Sequence, residues 1–435
     1  MTKVVEIKLW GTAVGYLGYD GQSNVTVFEY EPQFALSAIQ ISPLKMPYPP
    51  YRHQFHEISF RSFKGVSGLF ADSLPDKFGS QLIDQFMAQK HINMQDVTTL
   101  DRLLYIGNKG MGALEYYPLE FEENATTHKA LDIAALFALA ELVLNKKEML
   151  QKNLEEAQNK EDALNLIRVG SSAGGARSKA LVAMKDDGKL YDGTVLYDEP
   201  CTYWLLKFDS ASNSDKEKQD PKGMTKIEYI YAQIARKCGI DMPQTHYIET
   251  GNDFHFMIER FDRINEKSKS SKLHYVSWAG LAHFDRDTTG AYAYEQLVLT
   301  ARSLHLGQDA VTEIFRRAVF NIVGRNQDDH TKNFGFLMDK RGEWRLSPAF
   351  DLTYAFDPTG NWTKVHQLTL QGKQTDFSLD DLLSFGKYCN LSAKASKEIV
   401  QTTVAHFRSF DILAKDLEVS DTLRETVLEY LRVDF

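Results

Sequence analysis

The stretch from Asn326 to Asp351 constrains the fold most, because it holds a polar cluster between two apolar supports. The polar part reads Asn326-Gln327-Asp328-Asp329-His330-Thr331-Lys332-Asn333. Upstream, Ile314, Phe315, Ala318, Val319, Ile322 and Val323 recur at helical spacing, which predicts a buried helix running into the cluster. Downstream, Phe334-Gly-Phe-Leu-Met338 and Trp344-Arg-Leu346 read as two short strands joined by a turn at Asp339-Lys-Arg-Gly342. Such a hairpin returns Asp351 towards Asp328 and Asn333.

Two carboxylates and an amide gathered in this way suit phosphoryl transfer. Asp328 can accept a hydroxyl proton, while Asn333 and Asp351 offer hard oxygen ligands for Mg²⁺ on a nucleotide's phosphates. Protein kinases divide the labour similarly, with a catalytic-loop Asp, an Asn five residues later and a following Asp-Phe-Gly. Here Asp328-x-x-x-x-Asn333 keeps the spacing, the preceding His-Arg is absent, and Asp351-Leu-Thr stands for Asp-Phe-Gly. The competing reading is a solvated loop of turn-capping Asp and Asn residues with a packed His330. The combination of helix, loop and hairpin weighs against it.

A chain of 435 residues exceeds one ordinary core, so two or three packed units are expected. The formal net charge of −9 argues against a stand-alone nucleic-acid binder, which needs a basic surface, although a local basic patch is compatible with it. Cys201, Cys238 and Cys389 are scattered, without metal-ligand spacing, which suits a reducing compartment and gives no disulfide framework. The N-terminus alternates like a strand and lacks a signal-peptide core. No apolar run is long enough to span a bilayer. A cytoplasmic protein with no membrane partner is expected.

Taken in order, Val5 to Tyr30 reads as a β-meander, and Ser80 to Gln89 as a helix. Gly107-Asn-Lys-Gly-Met-Gly112 could cradle a phosphate, but no phosphate-binding helix comes after it, which favours a plain turn. The polar stretch 122–127 suggests a unit boundary, and 131–150 and 152–167 are helical in composition. Arg168 to Lys179 is a second site-like element, a glycine-rich turn feeding the strand Ala180-Leu-Val-Ala-Met184. Gly170, Gly174 and Gly175 allow close backbone approach to an anion. The loop is not a Walker A loop, which would feed a helix and end in Gly-Lys-Ser/Thr. Tyr203 to Phe208 reads as a buried strand carrying Lys207, either facing an anion or snorkelling from an edge. A helix is expected from Lys226 to Cys238, with Glu228 on its first turn either solvated, the favoured reading, or paired with Lys207 as in protein kinases, and then a strand from Phe254. Beyond Arg263 the composition turns helical apart from the hairpin, and Lys267 to Lys272 reads as a solvated basic loop.

With these motifs in place, the chain resembles the HipA family of bacterial toxin-antitoxin serine/threonine kinases over essentially its whole length. The resemblance is carried by Phe70-Ala-Asp-Ser-Leu-Pro-Asp76, Ser172-Ala-Gly-Gly-Ala-Arg-Ser-Lys179, Glu259-Arg-Phe-Asp262, Asn326 to Asn333 and Leu346-Ser-Pro-Ala-Phe-Asp351. It implies an α+β, two-lobed protein-kinase-like fold: a β-rich N-lobe, a helical C-lobe and an N-terminal β-meander subdomain. The implied divisions are residues 1–125 for the accessory subdomain, 126–258 for the N-lobe with its phosphate loop, and 259–435 for the C-lobe. Carried over by position, Asp328 is the catalytic base, Asn333 and Asp351 are Mg²⁺ ligands, and Lys207 contacts the ATP phosphates. Glu259 and Phe261 match the hinge that meets adenine, with Asp262 beside them. Ser172, Ala173, Gly174, Gly175, Lys179, His330 and Lys332 complete the implied nucleotide contacts. Ser172 falls at the family's autophosphorylated serine, with Ser171 next to it. Arg177-Ser178-Lys179 replaces the Gln-Glu-Lys ending of other forms.

The resemblance further implies a protein substrate carrying Ser or Thr, such as an aminoacyl-tRNA synthetase, with growth arrest as the outcome. It implies a HipB-like helix-turn-helix antitoxin as partner, and operator DNA reached mainly through that antitoxin. A small-molecule kinase and a non-catalytic co-repressor are the alternatives. The intact set of Asp328, Asn333, Asp351 and Lys207 weighs against a purely structural role.

Overall fold

The structure is a computed structural model and describes residues 3–20, 23–89, 91–119, 129–145, 160–170, 177–210, 221–266 and 269–435. Ser171, Ser172, Ala173, Gly174 and Gly175 lie outside the described residues, as does the polar stretch 122–127. Two compact units alternate along the sequence. Unit 1 comprises Met1–Lys222, His246–Tyr275 and Asp339–Gly342, and unit 2 comprises Gly223–Thr245, Val276–Met338 and Glu343–Phe435.

Unit 1 contains two five-stranded sheets. The first takes β1 (Val4–Leu9), β2 (Thr12–Tyr19), β3 (Thr26–Tyr30), β4 (Arg52–Gln54) and β5 (Leu114–Tyr117) in the order β4-β3-β2-β1-β5, antiparallel throughout. The predicted meander is present, and the alternation that signals it buries Val5, Ile7 and Leu9 on one face. Trp10 and Gly11 both take positive φ, 51° and 81°, the pairing that a tight two-residue hairpin turn requires.

The second sheet takes β6 (Lys179–Lys185), β7 (Leu190–Asp192), β8 (Cys201–Lys207), β9 (Thr245–Thr250) and β10 (Asp253–Glu259) in the order β7-β6-β8-β10-β9. Helices Lys77–Gln89, Ile133–Asn145 and Lys160–Gly170 contribute Phe78, Leu82, Leu136, Leu139, Leu166 and Ile167 to one core with Val182, Trp204, Leu206 and Phe208. Helices expected before the glycine loop are thus present at Ile133–Asn145 and Lys160–Gly170, the second taking in Gly170, and the strands expected after it at Lys179–Lys185 and Cys201–Lys207. Lys269–Lys272, expected as a solvated loop, instead pairs as a strand with Arg263–Glu266, and Lys272 is buried. The Lys272 ammonium donates to Asn108 O at 2.7 Å and Glu115 Oε1 at 2.9 Å, which fixes it there.

Those bonds also decide the role of the first glycine loop. Arg263 donates to Gly110 O at 3.0 Å and Gly112 O at 3.2 Å, while the Gly112 N–H donates to Asp262 at 2.6 Å. A Cβ on Gly112 would lie 3.1 Å from the Tyr275 nitrogen, so the close approach needs glycine. The loop is a structural latch within unit 1, in keeping with a plain turn rather than a phosphate cradle.

Unit 2 is mainly helical, with Met224–Lys237, Tyr294–Ser303, Gln308–Val323, Leu379–Tyr388 and Ala393–Phe407 as its longer helices. The predicted helix spans Gln308–Val323 and buries Ile314, Phe315, Ala318, Val319, Ile322 and Val323. Burial of each Ile, Val or Phe among them contributes about 1.5–3 kcal/mol, against about 1 kcal/mol for a hydrogen bond, so this helix is the rigid base of the Asp328 loop. Glu228 departs from expectation: it is buried, not solvated. So does a short parallel pairing of Tyr292–Ala293 with Leu368–Thr369 in a region that reads as helical. Among the described residues no helix is long and apolar enough to cross a membrane.

Candidate active site

The base helix stops at Gly324, and Arg325 takes φ 54°, turning the chain out of the helical path. Asn326 pins the exit: its N–H donates to Asn321 O and its Nδ2 to Asn321 Oδ1, both at 2.9 Å. The next turn separates two neighbouring carboxylates. Asp329 is buried and accepts the Tyr294 hydroxyl at 2.7 Å, His366 Nδ1–H at 2.8 Å and the Gln367 N–H at 2.8 Å. Asp328 keeps 42% of its side chain exposed and accepts Trp362 Nε1–H at 2.6 Å. One carboxylate is structural and the other is open to chemistry.

His330 begins a 3-10 turn, Thr331–Asn333, and its Nδ1 accepts the Lys332 N–H at 3.2 Å. The proton therefore sits on Nε2, which lies 3.8 Å from Asp328 Oδ1. Burial lowers the His330 pKa; Asp328 and Asp351 oppose that shift, while Arg286 and Lys332 reinforce it. At neutral pH the ring is a neutral spacer. Asn333 closes the turn by donating Nδ2 to Asp328 O at 2.7 Å. With the amide nitrogen committed there, its oxygen is the end presented to a ligand.

The hairpin forms as the sequence predicts, with Gly335–Met338 pairing antiparallel to Trp344–Leu346. Asp351 then takes φ 53°, an uncommon left-handed conformation that Asp tolerates better than most residues. Its carbonyl accepts Asn326 Nδ2 at 3.3 Å, and Ala355 N–H bonds to Arg325 O at 3.0 Å. Asp351 is thereby tied to the start of the Asp328 loop. Among the described residues there is no group of three or more His, Cys, Asp or Glu side chains able to hold a metal. The Asn333 amide oxygen and the Asp351 carboxylate instead offer two oxygen donors on segments tied to the Asp328 loop. Two such donors fit Mg²⁺, which takes one or two protein oxygens and completes its shell with phosphates and water.

In unit 1, Lys179 and Lys207 stand directly opposite each other across β6 and β8, and both are buried. Directly opposed residues share a face, so the two lysines lie on the same side of the sheet. Lys179 lies 3.2 Å from Asp76 Oδ2, and Lys207 Nζ lies 5.9 Å from the centre of the Phe256 ring. The sequence leaves Lys207 open between a buried and an edge lysine. It is a buried one, on an interior strand. Arg168 is likewise committed, lying 2.9 Å from Asp192.

Glu259 ends β10 opposite Trp204, and burial raises its carboxyl pKa. The Phe261 ring lies 5.7 Å from that of Tyr275. Asp262 departs from the nucleotide role implied for it. It has no exposed side-chain surface and is enclosed by Arg260, Arg263 and the Gly112 N–H, at 2.6–2.8 Å. Burial pushes its carboxyl up, but the two guanidinium charges and the hydrogen bonds more than offset this and hold it well below the usual range. Asp262 anchors the glycine latch.

The structure thus groups Asp328, His330, Lys332, Asn333 and Asp351 within unit 2. Lys179, Lys207, Glu259, Phe261 and Asp262 are held in unit 1. Trp362, His366 and Gln367 escape sequence reasoning. Their stretch is polar with one aromatic, has neither helical nor strand periodicity, and carries no local signal of contact with residues some 35 positions earlier.

Two family descriptions match the chain: "HipA N-terminal domain" over residues 5–117 and "HipA-like C-terminal domain" over residues 171–409. A Sinorhizobium fredii protein named "Putative kinase Y4dM" is 24% identical over 259 residues, covering 56% of this chain and 60% of that protein. A Haemophilus influenzae protein named "Putative kinase" is 28% identical over 140 residues, covering 28% of this chain and 39% of that protein. The chain thus spans less than two thirds of either relative's length. Among solved structures, a chain of the Shewanella oneidensis MR-1 toxin-antitoxin complex of HipA, HipB and operator DNA matches with a TM-score of 0.68. That match is 15% identical and covers 99% of this chain and 95% of the other, a likeness of fold.

Proposed function

Since this chain belongs to the HipA family, we propose that it is an ATP-dependent serine/threonine protein kinase and the toxin of a toxin-antitoxin pair. The observation that carries the reading is the split between Asp328 and Asp329. Asp328, whose carboxylate is 42% exposed, lies on a turn that Asn333 closes onto the Asp328 main-chain carbonyl, and Asn326 ties the left-handed Asp351 to the start of that turn.

In the proposed step an acceptor hydroxyl gives its proton to Asp328 as its oxygen bonds the γ-phosphorus. The bond to the bridging oxygen breaks, and its electron pair leaves with ADP. Mg²⁺ held by Asn333 and Asp351 would supply charge neutralisation on the phosphates. Lys207 in unit 1 is proposed to contact the phosphates, and Glu259 with Phe261 to meet adenine through main-chain atoms. Asp328 supplies orientation and general-base assistance, typically about 10²–10⁴-fold in rate. Autophosphorylation of Ser172 belongs to the same reading.

For partners, the Shewanella complex supports a HipB-like helix-turn-helix antitoxin. The net charge of −9 favours contact with operator DNA through that antitoxin rather than through this chain. The test is incubation of the purified protein with labelled ATP, Mg²⁺ and cell lysate, with Asp328→Ala as control. Label on Ser or Thr of a discrete protein, absent with the control, is the expected result. Label on small molecules alone would replace the protein-kinase reading with the small-molecule one.

A further inference from the structure

We infer that the turn Trp362–Gln367 is a clamp on the Asp328–Asp329 pair, with Trp362 as the positioning residue that fixes the Asp328 carboxylate. The catalytic part of this inference rests on the reading of Asp328 as the base.

The hydrogen bonds of this turn form a closed circuit. At one end, Trp362 Nε1–H donates to Asp328 Oδ1 at 2.6 Å. At the other end, the Gln367 N–H donates to Asp329 Oδ1 and the His366 ring to Asp329 Oδ2, both at 2.8 Å. The turn closes on itself, because Gln367 Nε2 donates to Trp362 O at 2.6 Å. Gln327, immediately before the pair, donates Nε2 to Thr363 O at 3.2 Å. Two adjacent carboxylates facing different surroundings are therefore held by the two ends of one six-residue turn. Asp329, which is sealed from solvent, fixes where the turn sits, and the turn fixes where the indole sits.

The chemistry explains why Asp328 needs this. Its side chain is substantially exposed, and an exposed carboxylate samples several rotamers in water. A base that must meet a hydroxyl in line with a phosphorus works only from one of them. An indole N–H is a donor without an acceptor site, so Trp362 can orient the carboxylate but cannot take the transferred proton. By occupying Oδ1 it directs an incoming hydroxyl to Oδ2. His330 does not duplicate this role, since its Nε2 stands off at 3.8 Å.

The test has two arms on the full-length protein. In ¹⁵N–¹H spectra the five tryptophans should give five indole signals, and loss of one in Trp362→Phe assigns it. Asp328→Ala should move that signal upfield and leave the other four in place. An unmoved signal overturns the clamp, and this arm needs no catalytic activity. In the second arm, Trp362→Phe keeps the ring and loses the donor. The turnover of phosphoryl transfer from labelled ATP should fall about 10- to 100-fold, part of what a positioned base supplies. The KM for ATP should stay within about twofold, as for an interaction made at the reacting centre. Gln367→Ala should lower turnover in the same direction by a smaller factor. In an Asp328→Ala background, Trp362→Phe should lower the residual rate no further. Unchanged turnover in Trp362→Phe, or an equal loss with and without Asp328, overturns the positioning role. A wild-type chain that binds ATP and transfers no phosphate overturns the kinase reading instead, and the indole signal then decides the clamp alone.

Discussion

Asp329 accepts the His366 ring N–H at 2.8 Å, and neither side chain has exposed surface. The same carboxylate takes the Tyr294 hydroxyl and the Gln367 N–H, so its removal leaves three buried donors without an acceptor. Asp329→Ala should destabilise unit 2 by about 3–5 kcal/mol, the usual cost of breaking a buried charged cluster from one side. Thermal unfolding against the exposed control Asp434→Ala checks this, and equal shifts for the two would show that the cluster contributes nothing.

Asp328 should behave in the opposite way. Because its side chain is 42% exposed, Asp328→Ala should leave the melting temperature nearly unchanged. Phosphoryl transfer should fall by about 10²–10⁴-fold, with ATP affinity retained. Asp351→Asn should also weaken ATP binding, and only when Mg²⁺ is present. Normal turnover in Asp328→Ala would sink the kinase assignment.

Lys207 carries a third prediction. It is buried on an interior strand opposite Lys179, and a buried ammonium is the kind of group that contacts phosphates in the proposed nucleotide site. Lys207→Ala should weaken ATP binding about tenfold or more, the scale of one charged hydrogen bond. Calorimetry with and without Mg²⁺ measures it, and an unchanged dissociation constant would make Lys207 a packing residue.

Acid should destabilise unit 1 through His274. Burial pushes its imidazole down from 6.5 to about 4, against the opposing hydrogen bond to Ile41 O. Between those values the unfolded chain binds a proton that the folded chain refuses, so stability rises with pH across the window and is flat above it. Asp262 adds a further loss at lower pH. Its depressed carboxyl stabilises the fold above the unfolded value of about 3.9, and that contribution disappears as pH falls towards the folded value. Urea unfolding at pH 7 and pH 5 should therefore differ, by about 1–3 kcal/mol, and His274→Gln should remove most of the difference.

Incubation with Mg²⁺ and ATP should place a phosphate on Ser172. The modification adds roughly −1.5 to −2 charges beside bound triphosphate, which should drive the loop from the nucleotide site. Arg168, Arg177 and Lys179 are the cations near it in sequence; of these, Arg168 and Lys179 each already face a carboxylate, Asp192 and Asp76. A phosphoserine that settles on either must displace that partner. Mass spectrometry decides the site: phosphate on Ser171 shifts the register by one, and none in the loop of an active kinase refutes the switch.

The base helix, the hairpin and the helix and strand on either side of the glycine loop in sequence are legible because burial repeats at 3.6 or 2 residues leave a local imprint. Asp328, Asn333 and Asp351 are legible as a set because their spacing is itself chemical information. Asp262 is misread, since nothing local distinguishes a carboxylate facing a ligand from one enclosed by Arg260, Arg263 and a glycine 150 residues away. Glu228 is misread for a related reason, as helix position alone does not report burial. Trp362 and Gln367 leave no trace, because their partners lie in another segment and their contacts obey no period.

The glycine latch bears on how such proteins can be recombined. Residues 5–117 and 171–409 match two separate family descriptions and look like interchangeable parts. Yet Gly110 and Gly112 accept bonds from Arg260 and Arg263, Lys272 reaches Asn108 and Glu115, and Trp10 donates to Lys272 O at 2.7 Å. A chimera that took its first 117 residues from a relative would inherit one half of a lock. It would fold only if the donor's glycine loop had diverged in step with the recipient's arginine pair, so the two parts are expected to travel through evolution as a matched set.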